Sequence, residues 1–268
     1  MQTLSPHDRN HLRTLAGRQA ETAALPIMAE RKEQWYRLND LQQSRPMIHF
    51  ETWTFEGDLL PALQCETEAG RAMELQMLRD CLNHERIGDD RVVPDCFSVG
   101  WRTWFHLFDM TIQVDHATDS KGRDLGHQFR HLITDLETDL PNLRASSFGV
   151  DREGSLAWKS LAEETFGDIL PVRMTMGSPG VCLTQDLVHY MGMEPMFMAM
   201  MDTPDEFHAL MRRMTDDHIL YLRWLESEGL LLPNNSHNGV GNGTFGFSRT
   251  LPDSGWQTGE PFRLQHLW

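Results

Sequence analysis

Four groups of polar residues in this chain stand where an α/β protein keeps its chemistry. His49, Glu51 and Trp53 lie at the end of "RPMIHFETW" (45–53), and Asp95 lies in "DDRVVPDCFSV" (89–99). Ser178 follows "DILPVRMTM" (168–176), and Asn234, Asn235, Ser236 and His237 follow the apolar run Leu230–Leu232. Each run reads as a strand, and parallel α/β folds gather reactive groups at the carboxyl ends of their strands. Asp95, Glu51 and His49 are therefore the expected catalytic groups, acting as charge stabilisers or proton acceptors. Such roles need carboxylates held partly buried, where proton affinity can be tuned. Trp53, Ser178, Asn234, Asn235, Ser236 and His237 are expected to line a small-molecule substrate site. Each group also has a plain structural reading. His49 and Glu51 share one face of a strand and can pair, Asp95 can cap a turn, and Asn234-Asn235 can shape one. Their weight is collective.

Gly241, Gly243 and Gly246 spell G-x-G-x-x-G. A dinucleotide loop needs its first glycine directly after a strand and a helix starting inside the motif. Here "NNSHNGV" intervenes, and Pro252 and Gly255 stand where the helix should run. The glycines read instead as a mobile loop after a strand. The methionine-rich "MGMEPMFMAMM" (191–201) offers thioethers to a soft metal, but methionine also fills irregular cores, and core packing is the expectation. No metal-ligand set is read from the residues.

The elements that must position these groups follow from local signals. Ser5-Pro6 opens a helix, and a second runs over 25–43. An amphipathic helix is expected over 61–83. After the strand at 89–99, "FDMTIQVDHATDSKGRD" alternates and turns at Lys121-Gly122 as a hairpin or long excursion. Asp151 caps a helix ending at Phe166-Gly167, and Thr184 caps another. Thr203-Pro204-Asp205-Glu206 reads as a capping box. Phe207, Leu210, Met211, Met214, Leu222 and Leu225 mark one face of the helix behind it, which Gly229 stops. Strands and helices alternating in short units predict parallel strands with right-handed crossovers.

The 268 residues can bury a full core, with 40% hydrophobic and 24% charged residues. A formal charge of −15 argues against a nucleic-acid or anionic-membrane partner. No run approaches the ~18 apolar residues of a membrane span, and "MQTLSPHDRNHLRTLAGRQ" lacks the apolar stretch of a secretory signal. Cys65, Cys81, Cys96 and Cys182 show no C-x-x-C spacing, so a reduced cytoplasmic protein is expected.

Two stretches carry a family likeness. "MTMGSPGVCLTQDLVHYMG" (174–192) resembles the strand–loop–helix segment of the uroporphyrinogen decarboxylase superfamily, and "NNSHNG" (234–239) is similar to its strand-four segment. "VVPDCFSV" and the helix over 203–229 match in order and spacing. The resemblance implies an α/β fold, a (β/α)8 TIM-barrel. With about four βα units legible, the chain is expected to be its first half. Residues 1–45 would form a helical arm and 46–268 the N-terminal part of the barrel.

By the same resemblance Asp95 matches an aspartate that stabilises positive charge on a pyrrole. Ser236 matches a serine lining that site, and Gln185 stands where the decarboxylases have a substrate-site tyrosine. The arginine-bearing "RQAGR" element is replaced by "HFETW", which disfavours a polyanionic porphyrinogen. The superfamily's corrinoid- and thiol-dependent methyltransferases bind zinc through His-x-Cys and a later Cys. Here Asn238-Gly239 follows His237, so zinc ligands would lie outside this chain. The resemblance thus implies a methyltransferase-type enzyme acting on a small methylated substrate or a corrinoid or thiol acceptor. A corrinoid protein or a complementary half-barrel chain would be its partner. A non-catalytic half-barrel subunit is the alternative, and a porphyrinogen decarboxylase the third reading.

Overall fold

A computed structural model describes residues 3–42, 45–120, 122, 124–240, 244–252, 255–257 and 259–268. The helices are α1 (Pro6–Ala23), α2 (Pro26–Asn39), α3 (Glu56–Leu59), α4 (Glu68–Leu82), α5 (Leu136–Asp139), α6 (Arg152–Phe166), α7 (Leu183–Met191), α8 (Met193–Asp202) and α9 (Pro204–Ser227). The strands are β1 (Phe97–Val99), β2 (Arg102–His106), β3 (Val114–Thr118), β4 (Asp124–Phe129), β5 (Ser147–Asp151) and β6 (Val172–Met174). They pair as β1–β6, β2–β5 and β3–β4. The fold mixes helix and strand, and the described residues form no closed barrel. No described helix is long and apolar enough to cross a membrane.

The chain divides into two compact units. The first comprises Met1–Arg102, Asp151–Pro179 and Gly229–Trp268. Helix α1 starts as its sequence predicts, with Pro6 in its first turn and Ser5 Oγ accepting the Asp8 N–H at 3.1 Å. Its Leu12, Leu15 and Ala16 pack with Met73, Met77 and Leu78 of α4, Phe166 of α6, and Phe97 and Val99 of β1. Helix α1, expected in a separate arm over 1–45, is therefore built into this unit's core. β1 and β6 run parallel, with Phe97 opposite Val172 and Val99 opposite Met174, and α6 precedes β6 in the chain. Asp151 accepts the Gly154 N–H at 2.8 Å to cap α6, again as predicted.

The predicted strands are shorter or absent because side chains, not neighbouring strands, take up their backbone groups. Over 45–53 no strand forms. Asp90 accepts the Ile48 N–H and Asp89 the Phe50 N–H, each at 2.8 Å. Over 89–99 only 97–99 is strand: Arg31 donates to Arg91 O, Trp35 to Asp90 O, and Gln19 to Pro94 O and Cys96 O. Only 172–174 of the third run pairs, and 230–236 pairs with nothing as a strand. The helix expected over 61–83 begins at Glu68, where Thr67 caps it and Asp8 of α1 accepts from Glu66 N, Thr67 N and Thr67 Oγ1.

The second unit comprises Thr103–Val150 and Gly180–Glu228. Here the hairpin is present: β3 and β4 run antiparallel, with Val114 opposite Phe129. Lys121 of its expected turn lies outside the described residues. On β5, a Cβ at Gly149 would come within 2.2 Å of the Trp104 ring, so only glycine leaves that ring room. The core joins Leu107, Phe108 and Ile133 to Leu187, Tyr190, Met196, Phe207, Leu210 and Met214. Thr184 does not cap α7, which starts at Leu183 with no side-chain cap. Thr203 precedes α9, but its side chain makes no cap bond, so the capping box does not form. The methionine run is only half core. Met191, Met196 and Ala199 are buried, whereas Met193, Phe197, Met198, Met200 and Met201 are exposed.

Candidate active site

The first unit holds a cavity of about 290 Å³ whose wall includes Lys32, Asp95, Arg173, Ser236, His237 and Phe247. Four chain segments far apart in sequence supply its polar groups. Asp95 follows Pro94, which has no N–H to give, and Gln19, fully buried, donates to both Pro94 O and Cys96 O. That double bond fixes the loop on which Asp95 and Cys96 sit. Asp95 precedes β1 and does not end a strand, so the carboxyl-end position expected for it is corrected. Arg173, on β6, donates to Asp95 at 3.0 Å.

His237 comes from the segment after Leu230 and Leu231, which are buried. Its Nε2 lies 3.1 Å from Ser98 Oγ and 4.0 Å from Cys96 Sγ. Burial pushes the imidazole down to about 4, against the pull of Asp95, so it is neutral at pH 7. Burial likewise pushes the Cys96 thiol up, so it is protonated. The ligand atoms of Asp95, Cys96 and His237 all lie within 4.8 Å of one another. The site offers a carboxylate beside a guanidinium, a neutral imidazole, a hydroxyl and a thiol.

The remaining expected residues fall elsewhere. His49, Glu51 and Trp53 line a separate cavity of about 520 Å³ with Glu56, Arg79 and Arg91. Trp53 donates to Glu51 at 3.2 Å, and the His49 ring stands edge-on to Phe245 at 4.8 Å. These three are thus not brought to Asp95. Asn234 is fully buried and structural: it donates to Gly177 O and Trp268 O, and accepts the Trp268 N–H at 2.9 Å. Asn235 donates to Leu251 O. Ser178 is exposed and absent from the Asp95 cavity wall, and Gln185 lies on α7 in the second unit.

The glycine-rich stretch is anchored where it is described. Gly241 and Gly243 lie outside the described residues, but Phe245 and Phe247 are buried with Trp35, Met28, Val92 and Val93. The Gly246 N–H donates to Asn238 O at 3.1 Å, and a Cβ there would meet Asn234 O at 2.0 Å. Close packing of backbone on backbone, not a phosphate, explains this glycine.

Cys96, Ser98 and Arg173 were not singled out from sequence. The adjacency of Asp95 and Cys96 was the one available signal, while Ser98 and Arg173 gain meaning only from the β1–β6 register, in which they stand opposite each other. In the second unit a further pair was missed. His218 on α9 donates from Nδ1 to Met214 O at 2.8 Å and lies 3.3 Å from Asp186 in a cavity with Phe105, Gly180 and Tyr190. Its place on the apolar stripe between Met214 and Tyr221 could have shown it.

Comparison with family models, with curated proteins and with solved structures finds no match to this chain.

Proposed function

We propose that the chain forms the first half of a uroporphyrinogen-decarboxylase-like (β/α) barrel and works as a methyltransferase-type enzyme on a small acceptor. The observation that carries this reading is the cavity that gathers Asp95, Arg173, Ser236 and His237 from three distant segments. The parallel β1–β6 pair, with α6 before β6, supports it, since such barrels are built from parallel strands joined through helices. At about 290 Å³ the cavity falls just below the ~300–1,000 Å³ usual for ligands, so it suits a small molecule and not a porphyrinogen.

A corrinoid partner would supply or receive the methyl group. The chain's own part is to bind and orient the acceptor. Arg173 steadies Asp95, whose carboxylate faces positive charge developing beside it, while the acceptor's proton is lost to solvent. His237, neutral, and Ser236 fix the acceptor by hydrogen bonds. Held near 4, His237 is too weak a base to deprotonate a thiol at neutrality.

The test is incubation of the purified chain with methylcobalamin and a small thiol, following the loss of the methylcobalamin spectrum. Turnover that falls ~100-fold in Asp95→Ala is expected. Absence of turnover over the uncatalysed rate, or turnover unchanged in Asp95→Ala, would count against the reading. The non-catalytic partner reading has its own support in the exposed Met193, Phe197, Met198 and Met201 of α8. A stable complex with a second chain and no turnover would favour it.

A further inference from the structure

We propose that Asp95, Cys96 and His237 bind a divalent metal ion, zinc before others, with a fourth position open to the cavity. The inference stands on these donors alone and holds whether or not the methyl-transfer reading does.

One sulfur, one imidazole nitrogen and one carboxylate oxygen make a set of borderline softness, which suits Zn²⁺ better than Mg²⁺ or Ca²⁺. Bond lengths of ~2.3 Å to sulfur and ~2.0 Å to nitrogen put two such ligands ~3.6 Å apart in a tetrahedron. Cys96 Sγ and His237 Nε2 stand 4.0 Å apart, so a small inward movement suffices. All three donors already lie within 4.8 Å. Cys96 is fully buried behind the cavity, while Asp95 and His237 belong to its wall. An ion held among them faces the cavity on its remaining side, the arrangement of a catalytic rather than a closed structural site.

The alternatives fit less well. A cysteine–histidine nucleophile pair needs a thiolate beside an imidazolium. Here Cys96 is fully buried and is not part of the cavity wall, so its sulfur could not reach a substrate in the cavity. A neutral imidazole is the form a metal takes, and the ion itself drives the thiol proton off. A cysteine that only fills the core explains its burial but not the carboxylate and imidazole gathered on it. The surroundings support a metal. Gln19 clamps the carbonyls on either side of Asp95, so the loop that carries two ligands is fixed before any ion arrives. Ser98 Oγ, 3.1 Å from His237 Nε2, meets the lone pair an ion would take, so that bond gives way on binding.

The test uses the full chain, free of tags and stripped of metal. Zn²⁺ is titrated against a chromophoric chelator, and Co²⁺ binding is followed by absorption. One equivalent of each metal is expected, with a thiolate-to-cobalt charge-transfer band and the intense visible bands of a four-coordinate ion. Cys96→Ser removes the charge-transfer band, and Asp95→Ala and His237→Ala each weaken Zn²⁺ by ~100-fold or more, beyond the loss of a supporting contact. Cys182→Ser, at an exposed cysteine of the second unit, changes neither. Asp95 is exposed, so its variant keeps the fold and decides the matter if Cys96→Ser does not fold. Failure of the wild-type chain to bind one equivalent overturns the proposal. So does binding that keeps its affinity in Asp95→Ala or its thiolate band in Cys96→Ser.

Discussion

At the scale of single residues, the most informative side chains are histidines whose surroundings set their charge in opposite directions. His237 is driven neutral by burial, down to about 4. His218 is also buried, which lowers its pKa, but its bonds to Asp186 and Met214 O outweigh this and raise it overall. A histidine raised in the fold stabilises the protein below the ordinary imidazole value, and that stabilisation is lost as pH rises through the raised value. Asp186→Asn should therefore bring the His218 pKa down and flatten the pH dependence of stability near neutrality, read by NMR titration of the ring and by urea unfolding at several pH values. An unmoved His218 in that variant would contradict the assignment. The sequence exposed Asp95, Ser236 and His237 as polar groups near apolar runs, and these three share a cavity. It could not expose Cys96, Ser98 or Arg173 as their companions, because that depends on which residues face each other across β1 and β6.

Elements whose signals are local were legible, and elements whose partners are distant were not. Ser5-Pro6, Asp151 and Gly229 act within a turn of their own position, and the helices they bound are present. The runs 45–53, 89–96 and 230–236 have strand-like composition. In the first two, the hydrogen-bonding groups go to Asp89, Asp90, Gln19, Arg31 and Trp35, and in the third the Leu232 N–H goes to Met176 Sδ, partners that only the folded chain brings close. The cap of α4 shows how such a distant contact is felt. Asp8 is buried, which opposes its charge, yet bonds from Thr67 and Glu66 hold it at about 2. A carboxylate depressed from 3.8 stabilises the fold above that value and loses the effect as pH falls towards 2. Asp8→Ala should cost about 2 kcal/mol at pH 7 and less at pH 3, measured by urea unfolding. In α8 the two faces separate equally plainly. Met196→Ala should cost about 2–3 kcal/mol and Met201→Ser under about 0.5, because only the first is buried.

At the scale of the whole molecule, each compact unit carries its own buried cluster. Phe97, Phe166 and Leu170 anchor the first, and Leu210, Met214 and Ile133 the second. Unfolding in two steps is expected, with Phe166→Ala lowering the midpoint of one and Leu210→Ala that of the other. A single transition shifted equally by both would contradict this division. Alternating strand and helix patterns suggested one continuous barrel segment over 46–268. The chain instead builds its first unit from three separate stretches, returning to it twice, a connectivity that no periodicity records.

The claim on which the account turns is that the cavity of Asp95 and His237 is where a small acceptor binds. The most direct measurement is to titrate the isolated chain with a small thiol and follow the ring signals of every histidine by NMR. The account predicts a saturable shift of His237, lost in Asp95→Ala, with His218 unmoved. A His237 that stays still while thiol is added to saturation, or a shift that survives Asp95→Ala, would contradict it.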